Sequence, residues 1–159
     1  MSNDRFIIRP ATAEDEDALV HFVVAMALET EGEELDPEQV RAAVRIALDD
    51  PARAPYFLAV PAGDEATGPV GGLMFTREWS DWNNAYYWWI QSLYVRPEWR
   101  GRGAFRALYN HLEQLAREAG DVCALRLYVF DANTGAQAAY ERLGMSRRPF
   151  LVYERRLDE

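Results

Sequence analysis

The residues best suited to chemistry form a short turn rich in arginine and glycine. After an apolar stretch the sequence runs Arg96-Pro97-Glu98-Trp99-Arg100-Gly101-Arg102-Gly103-Ala104-Phe105-Arg106 and then takes on helical periodicity. The first turn of a helix has N–H groups without partners inside the helix and carries about half a positive charge. Arg100, Arg102 and Arg106 are unfavourable there unless an anion neutralises them, and glycines let the backbone approach a phosphate closely. The turn therefore predicts a phosphate or pyrophosphate site. The alternative is an exposed turn whose arginines pair with Glu98 or solvent.

The composition excludes several other kinds of site. All 17 basic residues are arginine, so a Walker A lysine and a Schiff-base lysine are excluded. None of the four serines lies in a G-x-S-x-G motif. One cysteine, Cys123, and two histidines, His21 and His111, lack the spacing of metal ligands, so no metal is expected. Cys123 opens an apolar strand and is expected to be buried.

The charge distribution limits the partners. The net charge is −9, and residues 1–50 hold 13 acidic residues against 4 arginines. Such a chain is not expected to bind nucleic acid. A small anionic ligand near the arginine-rich last third and a cationic one near the acidic front both remain open. No apolar run approaches the ~20 residues of a membrane span, and the first residues lack a signal-peptide pattern. We therefore expect a cytoplasmic protein with no membrane partner.

The elements that must position the arginine–glycine turn follow from hydrophobic periodicity and from turn residues. The pattern predicts strands at 6–8, 56–60, 70–77, 86–95 and 123–130, helices opening at Thr12 and Asp36, helices at 103–119 and 136–143, and a final strand or strand pair within 145–157. The fold class is α/β, with antiparallel strands first and a β-α-β crossover behind. A length of 159 residues predicts one domain, 1–159.

The turn resembles the acyl-CoA-binding signature of the GNAT superfamily of N-acyltransferases, Q/R-x-x-G-x-G/A, with Phe105 in place of the small last residue. A second segment, at 131–145, is similar to the family's later motif: Asn133, then alanines, then Tyr140, then Gly144 followed by Met145 where the family has an aromatic residue. The order β-α-α-β-β-β-α-β-α-β resembles the GNAT fold over essentially the whole chain. The resemblance implies a mixed, mainly antiparallel sheet flanked by helices.

The resemblance also implies roles for individual residues. The strand end formed by Leu93, Tyr94 and Val95 would pair with the pantetheine amides and offer an N–H group to the thioester oxygen. Residues 101–105 would hold the pyrophosphate beside Arg100, Arg102 and Arg106. Asn133 would contact the cofactor arm, and Tyr140 would act as general acid. Without the family, core packing explains Tyr140 and an N-cap role explains Asn133.

The acceptor side is less defined. In GNAT-like folds the loop after the first helix borders the acceptor pocket. Acidic residues lie at the end of the predicted first helix and beyond it, and others lie between the predicted strands at 70–77 and 86–95: Glu29, Glu31, Glu33, Glu34, Glu78 and Asp81. They are either solvated or attract a cationic amine, and Glu78 and Asp81 are also candidate bases. Six aromatic residues between positions 79 and 89 are expected mostly to pack the sheet or a homodimer interface, while the rest could wall the acceptor pocket.

The resemblance implies an N-acetyltransferase that uses acetyl-CoA and transfers the acetyl group to a small-molecule or peptide amine by direct attack on the thioester. Two alternatives remain. One is a CoA-binding module with little or no turnover, and the other is a phosphometabolite-binding α/β protein that uses the same turn.

Overall fold

The structure, a computed structural model, describes residues 5–158. Contacts divide the chain into two units, Met1–Tyr128 and Val129–Glu159. The first unit holds strands β1 (Phe6–Pro10), β2 (Tyr56–Pro61), β3 (Gly71–Ser80), β4 (Ala85–Val95) and β5 (Val122–Leu127), and helices α1 (Glu16–Glu31), α2 (Pro37–Asp49) and α3 (Ala104–Ala119). The second unit holds α4 (Thr134–Arg142). Within the described residues, no helix has the length and apolar character needed to cross a membrane.

The five strands form one sheet in the order β1-β2-β3-β4-β5. The first four pair antiparallel, and β5 pairs parallel to β4 after the crossover through α3. Antiparallel strands need only short turns, whereas a parallel pair needs a long crossover, and α3 supplies it. The predicted fold class, a mixed and mainly antiparallel sheet flanked by helices, is confirmed, as is the order of elements through α4.

Helices cover the two faces of the sheet. Neighbouring residues of β2 point to opposite faces: the Phe57 ring meets the His111 ring of α3 at 4.8 Å, while Leu58 joins the buried cluster that includes Phe22 of α1. Helices α1 and α2 are held together by Arg41 of α2, whose guanidinium contacts Glu16 at 2.6 Å. The end of β4 therefore lies on a sheet that is supported from both sides.

A pair of glycines lets β3 approach its neighbours closely. A Cβ atom on Gly71 would lie 2.8 Å from the carbonyl oxygen of Tyr94 in β4. A Cβ atom on Gly72 would lie 3.2 Å from the Leu58 side chain and 3.3 Å from the Phe22 side chain. Because such distances are too short for a side chain, these two glycines fix how tightly the end of β4 packs.

The structure corrects two expectations. The final strand predicted within 145–157 is absent, since the described residues form no strand after Leu127. Pro149 and the arginines before it interrupt the apolar run, and strand propensity becomes a strand only where a second strand exchanges backbone hydrogen bonds. Cys123 is exposed rather than buried. A register shift in the β4–β5 pairing makes it the extra residue of β5, outside the normal alternation.

Candidate functional site

The end of β4 presents backbone groups on one side. Strand β4 pairs with β5 only as far as Ile90, and no described strand continues that pairing beyond it. The Arg96 N–H donates to the Val70 carbonyl at 2.8 Å, so it points towards β3. Because backbone groups alternate along a strand, those of Tyr94 also point towards β3, and those of Leu93 and Val95 point the other way. Leu93 and Val95 are thus the two strand residues able to pair with a ligand.

Two glycines shape the turn that follows. A 3-10 turn at Pro97–Trp99 leads into it. Gly101 has φ 72° and Gly103 has φ 100°, left-handed values that favour glycine. Gly103 is the N-cap of α3, and the first turn of that helix contains no acidic residue. Gly103, the glycine of the predicted signature, and Gly101 before it therefore adopt the conformation that the turn requires.

Two arginines accompany this helix start. Arg102 and Arg106 are exposed, and neither forms an ion pair within residues 5–158. The Arg102 guanidinium lies over the Trp99 ring, 4.9 Å from its centroid. Exposed cations at the positive end of a helix dipole are unfavourable alone and favourable once an anion binds.

Ala104 and Phe105, which follow Gly103, differ in burial. Ala104 is completely buried, so a small residue is needed there. Phe105, which departs from the small residue of the signature, is half-buried. Its ring therefore remains partly accessible at the first turn of α3.

Arg100 is held by groups outside the turn. Its Nε donates to the Val95 carbonyl at 2.9 Å, and its Nη2 donates to the Glu29 carboxylate of α1. The Tyr94 hydroxyl donates to the other Glu29 oxygen at 3.2 Å. Burial and the neighbouring Glu29 charge raise the pKa of Tyr94, while Arg100 opposes that rise. This network, which spans 71 residues of sequence, has no local sequence signal and could not be predicted from motifs.

The remaining acidic candidates lie elsewhere. Glu31 is exposed at the last position of α1. Glu78 accepts a hydrogen bond from Trp89 Nε1 at 2.6 Å, and Asp81 is exposed in the β3–β4 turn. The β4 residue opposite Glu78 precedes Leu93 by six positions, which is roughly 20 Å along a strand. The structure thus brings Glu29, but neither Glu78 nor Asp81, to the end of β4.

The aromatic cluster divides between core and surface. Trp88 is buried and stacks on Phe75 with ring centroids 4.4 Å apart. Tyr87 lies under the Arg126 guanidinium at 3.5 Å, so a cation of the protein itself already covers this ring. Trp82 is 92% exposed.

A small cavity between α1 and the end of β4 was not predicted. It is lined by Leu19, Phe22, Val23, Met26, Tyr56, Gly72, Ser92 and Tyr94. Most of the lining residues are apolar, and three of them, Tyr56, Ser92 and Tyr94, carry a hydroxyl group. Burial raises the pKa of Tyr56, and a hydrogen bond with Ser92 opposes that rise. Ser92 and Tyr94 follow the β4 bulge at Gln91 and are two residues apart, so the alternation along the strand places them on the same face.

The second unit carries the other two predicted site residues. The Asn133 side chain is the N-cap of α4 and accepts a hydrogen bond from the Ala136 N–H at 3.1 Å, which confirms its capping role. Its side-chain amide nitrogen is the group that could donate to a ligand. Tyr140 is half-buried on α4, and burial raises the pKa of its phenol.

Comparisons with known proteins agree with this geometry. A family model described as "Acetyltransferase (GNAT) family" matches residues 16–145. The chain belongs to the GNAT acetyltransferase family. It is 29% identical over 136 residues to the thialysine N-epsilon-acetyltransferase of Caenorhabditis elegans, which covers 86% of this chain and 80% of that protein.

Solved structures extend the likeness to the whole GNAT fold. A possible acetyltransferase from Clostridium difficile 630 superposes with a TM-score of 0.86 at 34% identity, over 96% of this chain and 98% of that one. The ribosomal-protein-alanine N-acetyltransferase of Brucella melitensis superposes with a TM-score of 0.71 at 18% identity, over 96% and 99% of the two chains, and this shows the fold alone.

The backbone groups and exposed arginines at the junction of β4 and α3 have the chemistry needed to bind an anionic thioester. GNAT acetyltransferases in general use acetyl-CoA as co-substrate. The strand end offers two outward-facing backbone residues, and the helix start offers glycine backbone with two exposed arginines. Within residues 5–158 there is no group of three or more His, Cys, Asp or Glu side chains that could hold a metal ion.

Proposed function

We propose that the protein is an N-acetyltransferase that moves the acetyl group of acetyl-CoA to a primary amine. The observation that carries this proposal is the junction of β4 and α3. There, the outward-facing backbone of Leu93 and Val95 adjoins a helix start with two left-handed glycines and exposed arginines. In this proposal the pantetheine arm pairs with the strand end, and the diphosphate binds the turn at 101–105 with Arg102 and Arg106 beside it.

The proposed reaction is direct attack on the thioester. The neutral amine nitrogen forms a bond to the thioester carbonyl carbon, and the carbonyl oxygen takes up negative charge that a backbone N–H of Leu93 or Val95 stabilises. When the tetrahedral intermediate collapses, the carbon–sulfur bond breaks and the sulfur leaves with the electron pair. The thiolate takes a proton, and the nitrogen gives up a proton, so that an amide and free CoA result.

Tyr140 is the proposed donor of the proton to the departing sulfur. Burial raises the pKa of its phenol, so Tyr140 is protonated at neutral pH. A protonated phenol can donate a hydrogen bond, or its proton, to the departing sulfur while the carbon–sulfur bond breaks.

The proposed acceptor is a small primary amine. The Glu29 carboxylate, which accepts a hydrogen bond from the Tyr94 hydroxyl at the end of β4, supports a cationic acceptor that approaches there. The relative from Caenorhabditis elegans is named for thialysine, so thialysine is the first acceptor to test. A peptide N-terminus remains in the proposal as the second class of acceptor.

We also propose a cytoplasmic homodimer built from single-domain chains.

A thermal-shift comparison of acetyl-CoA, CoA and ATP tests the proposal first. At 100 times its Kd a ligand adds about 2.7 kcal/mol of stability, which raises the Tm of a domain of this size by about 5–10 °C. The proposal expects a rise with both CoA compounds and none with ATP. A rise with ATP alone supports the phosphometabolite-binding alternative.

A thiol-release assay then tests turnover with thialysine and with a peptide that has a free N-terminal alanine. Release of CoA that depends on the amine supports the transferase. Tight CoA binding without release from any amine supports the CoA-binding module instead.

A further inference from the structure

Arg100 connects the proposed CoA turn to the end of α1. Its Nη2 pairs with one oxygen of the Glu29 carboxylate, and the Tyr94 hydroxyl holds the other. Its Nε donates to the Val95 carbonyl at 2.9 Å, and its guanidinium lies over the Tyr94 ring at 5.5 Å from the centroid. Of Arg100, Arg102 and Arg106, Arg100 alone forms an ion pair within residues 5–158.

The partners of Arg100 occupy the Nε and Nη2 donors, which form one edge of the guanidinium. A guanidinium binds a carboxylate or a phosphate through the same planar set of N–H donors, so this edge cannot bind a phosphate bidentately while Val95 and Glu29 hold it. The Val95 carbonyl that accepts from Nε is also one of the two outward-facing groups at the strand end. Arg100 therefore occupies, through its own side chain, part of the surface proposed for acetyl-CoA.

The ion pair between Arg100 and Glu29 is weak enough for another anion to displace Glu29. The Arg100 side chain is 48% exposed and the Glu29 side chain 38% exposed, and ion pairs with this much solvent contact are weak. A diphosphate carries more charge than one carboxylate and can displace it. Glu29, in contrast, keeps its hydrogen bond from Tyr94 when Arg100 leaves.

We propose that Glu29 competes with the acetyl-CoA diphosphate for Arg100, an inference that rests on the proposed function. Glu29 then lowers the affinity for acetyl-CoA by holding Arg100 against β4. Coupling between sites is reciprocal, so bound acetyl-CoA weakens the Arg100–Glu29 pair by the same factor. The Glu29 carboxylate is thereby more available to an amine once the acyl donor is in place.

Isothermal titration with CoA on the purified protein and its variants tests this competition. Glu29→Gln preserves the shape but removes the charge, and it is expected to tighten CoA binding by about two- to fivefold. Arg100→Ala is expected to weaken CoA binding by about tenfold because a charge-assisted contact to phosphate is lost. In the double variant the gain from Glu29→Gln disappears, since Arg100 is no longer there to be released.

Glu31→Gln is the matched control. It removes the same charge two positions further along α1, at an exposed residue that forms no ion pair in the described part of the chain. It is expected to leave CoA affinity unchanged, and thermal melts of all variants check that they fold. The inference is overturned if Glu29→Gln leaves CoA affinity unchanged or weakens it, or if Glu31→Gln tightens binding equally. If the wild-type protein does not bind CoA, the proposed function fails and the inference falls with it.

Discussion

The hydroxyl of Tyr140 is the single group on which the proposed proton transfer depends. Tyr140→Phe removes one oxygen and keeps the ring. Loss of a general acid is expected to lower kcat by about 100-fold or more. The KM for acetyl-CoA is expected to change by about twofold at most, because the contact is made mainly in the transition state. Thiol release under steady-state conditions measures both. Tyr153→Phe, at a tyrosine that is 91% exposed, is the control, and equal kcat in the two variants would remove Tyr140 from the mechanism.

The pH dependence of the reaction follows from the same residue. Burial raises the pKa of Tyr140 above its ordinary value of about 10, so the phenol keeps its proton throughout the neutral and mildly alkaline range. The acceptor amine must lose a proton before it attacks, so kcat/KM is expected to rise with pH. No alkaline decline due to Tyr140 is expected below about pH 10. A decline centred near pH 8 that disappears in Tyr140→Phe would contradict the raised pKa.

Among secondary-structure elements, the start of α3 has a proposed role in binding the diphosphate and carries two arginines that lower stability. Arg102 and Arg106 lie at the positive end of the helix dipole, where each cation is unfavourable by about 0.3–1 kcal/mol. Replacing both by alanine is expected to raise the free energy of unfolding slightly and to weaken acetyl-CoA binding by about tenfold or more. Thermal melts and titration calorimetry at low salt measure the two effects. Arg117→Ala, in the last turn of α3 where it pairs with Glu113 at 2.7 Å, should instead leave binding unchanged. Full CoA affinity in the double variant would place the anion site elsewhere.

The packing of β3 against β4 gives a second test at this scale. Gly71→Ala would place a methyl group 2.8 Å from the Tyr94 carbonyl oxygen, so the strand end must shift. We expect a loss of about 1–3 kcal/mol in the free energy of unfolding, together with weaker CoA binding because Val95 moves. Gly135→Ala is the control, since its Cβ meets nothing within 4 Å, and helical alanine is expected to add about 0.4–1 kcal/mol. Chemical denaturation of both variants would show opposite signs, and equal signs would contradict the close-packing explanation.

The elements also show which features a sequence can predict. The strand–turn–helix junction around Gly103 was predictable because glycine, arginine and helical periodicity act locally. The exposure of Cys123 was not, because it depends on a bulge in the β4–β5 pairing. The predicted strand after Met145 failed for a related reason: apolar residues such as Val152 favour a strand, but pairing requires a partner that the local sequence does not specify.

For the molecule as a whole, the order of helices and strands was predictable, while contacts between distant segments were not. Periodicity is a property of ten or fifteen neighbouring residues, and it gave the α/β class and the crossover. The pairing of Glu29 with Arg100 joins residues 71 positions apart and depends on how α1 packs on the sheet. Candidate acids such as Glu29 and Glu78 look equivalent in the sequence, and only the fold separates them along β4.

The acid stability of the protein is expected to depend on His111, which α3 directs at the sheet. Burial lowers the pKa of His111, with a smaller opposing effect from Glu118, and its Nε2 is buried without a hydrogen-bond partner in residues 5–158. The unfolded chain takes up a proton near the ordinary pKa of about 6.5, whereas the folded protein does so only at lower pH. The free energy of unfolding is therefore complete above about pH 7 and falls as the pH drops through 6.5 towards the folded pKa. His111→Gln removes this titration, so the difference in Tm between pH 7.5 and pH 5.5 should shrink. His21→Gln, at an exposed position of α1, should leave that difference as in the wild type, and an equal effect of both variants would show that the burial of His111 is not its cause.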